Sequence, residues 1–343
     1  MTIQNFNAEK AVVRALMEDL AGVAPAAMAG VLERYVAPDW LWRGMHPFHM
    51  QNGPIAVADC FWSPLATALR PLQRRPDIFM AGLNQIDDFQ SVWVVQMGHF
   101  MGLFDRQFLG IQPTGRIAMM RYAEFDKVEA GRITETAMFF DIPQLMIQAG
   151  QNPFPPQTGA HLIQPGPMTH EGLMWGSQDP KLGTETLAAI NRMLTSIRDR
   201  HLPYRERLAR DWHEDMIWWG PCGIGATYTI DRYILQHARP FSDALYARRT
   251  FNGHLCKMAE GHFGGFFGWP NLTLHNSGGF MGMTAGPDLA DMRVVDLYRE
   301  KDGKLAENWI FIDMLHYLDM QGLDVLARNR WLDHVGQDHE PLA

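Results

Sequence analysis

The chain has little cysteine. Cys60, Cys222 and Cys256 are scattered through 343 residues, odd in number and without a Cys-x-x-Cys pair, which argues against a disulfide framework and against a thiolate metal site. A reducing, cytoplasmic setting is expected. There is no run of Lys or Arg, and 30 basic against 38 acidic residues give a formal net charge of -8. The cationic stripe that binds nucleic acid or an anionic membrane is therefore missing, and a neutral or cationic small partner suits the balance better. No stretch approaches the ~18 uninterrupted apolar residues of a membrane span, and the first residues lack the basic-then-apolar pattern of a secretory leader. Gly-x-Ser-x-Gly, Walker and dinucleotide fingerprints are absent, which argues against serine-hydrolase, phosphoryl-transfer and NAD chemistry.

What is present is apolar mass and repetition. Hydrophobic residues make up 47% and charged residues 20%, with 22 Met and 11 Trp. A chain of this length exceeds what one core usually organises, so two domains are expected. Sliding residues 110–150 onto 282–322, a shift of 172, aligns Gly110, Met120, Arg121, Gly131, Glu135, Phe139, Asp141 and Gly150 with Gly282, Met292, Arg293, Gly303, Glu307, Phe311, Asp313 and Gly322. Two collinear blocks extend the match: Asp39, Trp42 and Gly44 with Asp215, Trp218 and Gly220, and Gly98-His99-Phe100 with Gly261-His262-Phe263. The second copy then carries extra residues around Trp269 to Ser277, read as a lid or a longer hairpin.

Each copy opens with a helical pattern, Val12, Val13, Leu16, Met17 and Leu20 in the first and Leu187, Ile190, Leu194 and Ile197 in the second. Each closes with two strands joined by Glu129-Ala130-Gly131 or Lys301-Asp302-Gly303, hairpin turns in which glycine takes a positive φ. The stretch between the copies is rich in Pro and Gly and reads as a linker. The expected organisation is a first domain over 1–155, a linker over 156–180 and a second domain over 181–335. The fold class is α+β, a tandem duplication of a cone-shaped, curved antiparallel sheet wrapped by helices. Packing the two sheets face to face would make the chain an intramolecular pseudo-dimer; further homo-oligomerisation stays open.

The run Gly131-Arg132-Ile133-Thr134-Glu135 to Asp141, its counterpart Gly303 to Asp313, and the turn Leu109-Gly110-Ile111-Gln112-Pro113-Thr114-Gly115 resemble the SnoaL-like polyketide cyclases of the nuclear transport factor two superfamily. The resemblance spans roughly 8–150 and 183–326. It implies an enclosed apolar pocket and cofactor-free acid/base chemistry, typically intramolecular aldol closure. Two positions depart from that family's pattern: Thr136 and Asn308 stand where a histidine is common, and Met138 and Ile310 where an acid is common.

The candidate catalytic residues are Asp141, His99 and Glu124 in the first copy and Asp313, His262 and Asp296 in the second. A carboxylate on an apolar wall has its pKa raised toward useful general-base values, and an imidazole can relay the proton. Asp141-Ile142-Pro143-Gln144 also reads as a capping box, so a helix-cap role competes with catalysis. Candidate substrate-binding residues are Trp42, His46, Arg121, Glu135, Phe139, Trp218, Glu307, Asn308, Trp309 and Phe311; Glu135, Phe139 and Asp141, like Glu307, Phe311 and Asp313, share one strand face by even spacing. His46 and His49 lack a third ligand at a sensible spacing, so no metal is assigned, and no cofactor is expected. The function expected is a cofactor-independent cyclase or isomerase acting on a small, partly apolar carbonyl compound. A non-catalytic small-molecule carrier and an epoxide hydrolase-like activation of water by Arg121, Glu124 and Asp141 are the alternatives.

Overall fold

The computed structural model describes residues 5–160, 163–199, 201–286 and 288–333. The first half runs α1 (Asn7–Leu20), α2 (Met28–Tyr35), β1 (Val36–Gly44), β2 (Met50–Asn52), α3 (Pro54–Val57), a π-helical turn (Ala58–Trp62), α4 (Ser63–Ala68), β3 (Leu69–Leu83), β4 (Val92–Phe104), β5 (Arg116–Glu129), β6 (Arg132–Phe140) and α5 (Ile142–Gln148). The second half repeats the order: α6 (Pro180–Ser196), α7 (Tyr204–Asp211), β7 (Trp212–Trp219), β8 (Ala226–Tyr228), α8 (Ile230–Tyr233), a π-helical turn (Ile234–Ala238), α9 (Arg239–Leu245), β9 (Arg249–Phe251), β10 (Cys256–Glu260), β11 (Phe263–His275), β12 (Leu289–Lys301), β13 (Lys304–Ile312), α10 (Met314–Met320) and α11 (Val325–Asp333).

Strand order makes the duplication plain. The first sheet is β2-β1-β6-β5-β4-β3 and the second β8-β7-β13-β12-β11-β10, with β9 added beside β11. Both are antiparallel except for one parallel pair each, β1 with β6 and β7 with β13. The β5–β6 and β12–β13 hairpins turn on Ala130 and Gly131 (φ 49° and 75°) and on Asp302 and Gly303 (φ 51° and 82°). Two successive positive φ values define the turn whose twist matches that of the strands, and they explain the glycine at the second place. In α1 the apolar stripe Val13, Leu16, Met17 and Leu20 is buried against the sheet, as a period of 3.6 requires.

One part of the internal alignment changes. Gln96 pairs with Glu124 in the first sheet and Phe266 with Asp296 in the second, so β4 maps onto β11 by a shift of 170. His99 then corresponds to Trp269, and His262 lies in the tight turn between β10 and β11. The recurrence of Gly-His-Phe is therefore not a structural equivalence. Residues 269–275 are the continuation of β11 rather than a lid.

The outer faces of the two sheets meet through Phe125 and Phe139 packing on Phe267, and the halves are also tied at the β3 and β10 edges. Lys10 Nζ reaches Glu260 Oε1 at 2.6 Å, and Glu260 Oε2 accepts from Ala81 N at 2.7 Å. The segment between the halves follows both sheets, bridging Phe79 to Leu173 and Ala160 to Ala226. The fold is thus the expected pseudo-dimer: two curved sheets back to back, each with its own helices over its inner face.

Candidate functional site

The two inner faces differ. In the second half, the helices stand away from the sheet and enclose a cavity of about 980 Å³ between α6, α7, the π-helical turn and β9 on one side and β11, β12 and β13 on the other. Alternation along the strands directs Asp296, Tyr298, Asn308 and Ile310 inward. Trp218, Tyr233, Phe241 and Phe266 supply aromatic wall.

Asp296 is the chemically distinctive group. Burial pushes its carboxyl up from 3.8 to about 7, although Asn308 and Tyr298 donate to it and oppose the rise. Asn308 Nδ2 lies 3.1 Å from Asp296 Oδ1 and 3.1 Å from the carbonyl of Leu297, so both amide protons are used and the amide is oriented. Nearby, His237 stacks on Trp218 with ring centroids 4.0 Å apart. Burial lowers its imidazole to about 3, which keeps it neutral at physiological pH. Tyr233 pairs with Tyr204, and burial holds its hydroxyl well above the ordinary phenol range, so it remains a proton donor in hydrogen bonds.

In the first half the corresponding space is filled. Phe61 stacks on Phe140 (4.8 Å) and Phe100 on Tyr122 (4.4 Å), with Trp42 and Phe48 closing against Phe61. Arg74 enters this cluster, 5.2, 5.1 and 5.0 Å from the rings of Trp62, Phe100 and Tyr122, and pairs with Glu124 Oε2 at 2.6 Å. Burial pushes Glu124 up against the pull of Arg74. The hairpin register makes the cause visible: Tyr122 opposite Phe140 in the first sheet becomes Val294 opposite Ile312 in the second. Two aromatic rings are exchanged for two aliphatic side chains, and the space opens.

The structure therefore separates the residues singled out in the sequence. Asp296, Asn308 and Trp218 share the cavity, whereas Trp42 and Glu124 belong to the filled interior of the first half. Asp141, Asp313, Arg121, Phe139 and Phe311 lie on the opposite sheet faces, where the halves meet. Asp141 Oδ1 accepts from Gln144 N at 3.2 Å and caps α5, while its Oδ2 accepts from Cys222 N of the other half at 2.9 Å. Asp313 does the same with His316 N (3.2 Å) and with His46 N across the interface (3.0 Å). Burial raises both carboxyls against the pull of Arg121 and Arg293. Arg121 donates to the carbonyls of Trp219 and Ile310 and lies 4.1 Å from the ring of Phe311; Arg293 lies 4.2 Å from Trp269.

The acid-aromatic-acid strip therefore lines the inter-half contact, where Asp141 and Asp313 border a void of only about 10 Å³, and not the large cavity. Phe139 packs on Trp269 and Phe267, Glu135 pairs with Arg43 at 2.7 Å, and Glu307 pairs with Arg299 at 3.3 Å. Even spacing did place these residues on one face, but that face is covered by the other sheet. Trp309, on the same side, donates to Pro165 O of the connecting segment at 2.9 Å.

His99 faces Asp77 at 3.2 Å, on the side of β4 away from Glu124. His262 is exposed and pairs with Glu300 at 2.8 Å. Neither histidine reaches the cavity, because one points to the outer face and the other sits in a turn. His46 meets His49 (5.4 Å between centroids), which in turn meets His316 (6.1 Å). Among the described residues no group of three or more His, Cys, Asp or Glu has the arrangement to hold a metal ion.

Among the cavity residues absent from the sequence reading are His237, Tyr233, Tyr204 and His254. Their signal was indirect: the exchange of Tyr122 and Phe140 for Val294 and Ile312 at aligned positions marks the half with free internal volume.

No family model matches the chain, and no curated protein matches it. Among solved structures it is similar to a protein of Jannaschia Sp. CCS1 provisionally assigned as a SnoaL-like polyketide cyclase (17% identity, 46% of this chain and 97% of that one, TM-score 0.35). It is similar also to IdmH of Streptomyces antibioticus, provisionally a polyketide cyclase (17%, 41% and 96%, TM-score 0.34), and to an NTF2-like protein of Burkholderia xenovorans LB400 (12%, 40% and 97%, TM-score 0.33). Its structural neighbours are SnoaL-like and NTF2-like. Each covers less than half of this chain and nearly all of its own. Among the described residues, no helix is long and apolar enough to cross a membrane.

Proposed function

We propose that the chain is a cofactor-independent acid/base enzyme whose working site is the cavity of the second half, acting on a small, partly apolar carbonyl compound. The observation that carries this reading is Asp296, a buried carboxyl raised to about 7 on the wall of a 980 Å³ cavity and held by an oriented amide. A group poised near neutrality can both take and return a proton, which is the requirement of a general acid/base. In the proposed step, ionised Asp296 removes the proton from the carbon next to a carbonyl. The C–H electron pair moves to that oxygen as an enolate, to which the Tyr233 hydroxyl donates. In a cyclase reaction the enolate carbon attacks a second carbonyl of the same molecule, forming one C–C bond, and the new alkoxide takes back the proton from Asp296. In an isomerase reaction the proton returns to another carbon. The first half serves as a filled scaffold.

The test uses exchange rather than a known product. The protein is incubated in deuterium oxide with a panel of mono- and diketones, and incorporation beside the carbonyl is followed by proton NMR. Wild type catalyses exchange on at least one ring-bearing ketone and Asp296→Asn loses it, by the 10²–10⁴-fold that a positioned base contributes. Catalysed exchange that is unchanged in Asp296→Asn refutes Asp296 as the base, and exchange equal to buffer in wild type leaves the cavity as a binding site without chemistry.

A further inference from the structure

The net charge of the chain hides a local reversal of sign. Arg198, Arg207, Arg239 and Arg249 all line the cavity, from four different elements or their ends, while Asp296 and Asp243 are the carboxylates among its described lining residues. Arg198, Arg239 and Arg249 are exposed at its rim, and Asp296 lies inside. Three of the four guanidiniums lie on aromatic rings: Arg198 on Phe251 (4.6 Å), Arg207 on Tyr204 (4.9 Å) and Arg249 on Tyr246 (3.8 Å). Some arginines elsewhere on the surface pair with acids, as Arg34 does with Asp19, Arg205 with Asp231 and Arg14 with Glu18. Among the described residues, these four have no ion pair with a carboxylate, although the chain has more acids than bases.

Four like charges around one opening repel one another, and low-dielectric walls focus their field into the cavity. Such an arrangement is relieved by an anion entering from solvent, and planar guanidiniums resting on rings offer their free edges to planar or tetrahedral oxyanions. The depth of the cavity is aromatic, through Trp218, Phe241, Phe266 and Tyr298. We infer that the ligand is an amphipathic anion, with a ring-bearing, apolar body inside the cavity and a carboxylate, sulfonate or phosphate group held by the arginines at the mouth. This deepens the functional reading above and rests on it: the anionic end would fix which carbonyl carbon reaches Asp296. It also reverses the expectation, drawn from net charge, of a neutral or cationic partner.

The test uses two fluorescent probes with one ring skeleton, 1-anilinonaphthalene-8-sulfonate and its uncharged counterpart N-phenyl-1-naphthylamine, titrated into the full-length protein. Wild type is expected to bind the sulfonate about tenfold more tightly, with the preference shrinking as salt rises from about 0.05 to 0.5 M, since rim charges are screened. The triple variant Arg198→Gln/Arg239→Gln/Arg249→Gln, all at exposed positions, should bring the two probes to parity by weakening the sulfonate alone. Equal binding by wild type, or a preference that survives both the triple variant and salt, overturns the inference and leaves the cavity reading standing. Val294→Trp, which fills the cavity from β12, should release both probes. If it releases neither, the probes do not occupy the cavity and the inference fails, while the deuterium-exchange test of Asp296 decides the functional reading separately.

Discussion

Asp296→Asn should make the protein more stable at alkaline pH. The carboxyl titrates near 3.8 when the chain is unfolded and at about 7 in the fold. Between those values the unfolded state has lost the proton and the folded state keeps it. Stability therefore falls as pH rises through this window, by about 1.4 kcal/mol per pH unit. Below the lower value there is no penalty, and above the upper one it is complete. From pH 5 to pH 8 the loss amounts to roughly 2–3 kcal/mol, taking the two units over which the states differ fully. Asn has nearly the same shape, can still accept from Asn308, and carries no charge to bury, so the variant escapes the penalty. Urea unfolding midpoints of wild type and Asp296→Asn at pH 5 and pH 8 measure this directly, because other titrating groups are common to both proteins and cancel. A difference between the two proteins that is the same at both pH values would refute the reasoning, since it would mean that Asp296 titrates as an ordinary surface carboxyl. A gain in stability on losing a functional group is the expected trade when a site stores an unfavourable charge.

Asp141→Ala removes a helix cap, the counter-charge 3.7 Å from the buried Arg121 and the acceptor of the Cys222 amide, at a cost of roughly 3–5 kcal/mol; denaturant unfolding will show it, while probe binding by the folded fraction stays as in wild type. Glu124→Gln strips the buried Arg74 of its counter-charge and should cost about 3–5 kcal/mol, again with cavity binding intact, as read by unfolding and by probe titration. Val294→Trp should abolish probe binding with the circular dichroism of the fold retained. His262→Ala, at an exposed turn, should move stability by no more than ~0.5 kcal/mol and leave ketone exchange as it is, as checked by unfolding and NMR.

Much of the architecture was legible from local patterns. The β-hairpins announced themselves through Gly131 and Gly303, the helix caps through Asp141-Ile142-Pro143, and the duplication through blocks of residues recurring in the same order. These depend on backbone geometry and short-range hydrogen bonds, which a few neighbouring residues decide. The site was less legible because it depends on volume and on which face is covered. Strand alternation grouped Glu135, Phe139 and Asp141 correctly, but nothing in alternation says that their face meets another sheet. The histidines misled for a different reason: Gly98-His99 and Gly261-His262 look alike, yet strand pairing aligns Gln96 with Phe266, so an apparent repeat was a coincidence of composition. Asp296 and Asn308 were within reach because they occupy inward positions of the half that carries Val294 and Ile312.

The crossed contacts of Asp141 with Cys222 N and of Asp313 with His46 N bear on how such a chain can change. Each half holds the loop of the other, so the outer faces are bound to stay matched, whereas the two interiors lie on opposite sides of that contact. A symmetric assembly of identical subunits would have to alter both interiors at once, and any loss of cohesion from hollowing a core would be felt twice. Fusion lifts that constraint: one interior can be packed solid with Phe61, Phe100, Tyr122 and Phe140 to supply cohesion while the other is emptied, and each molecule would then take up one equivalent of ligand rather than two.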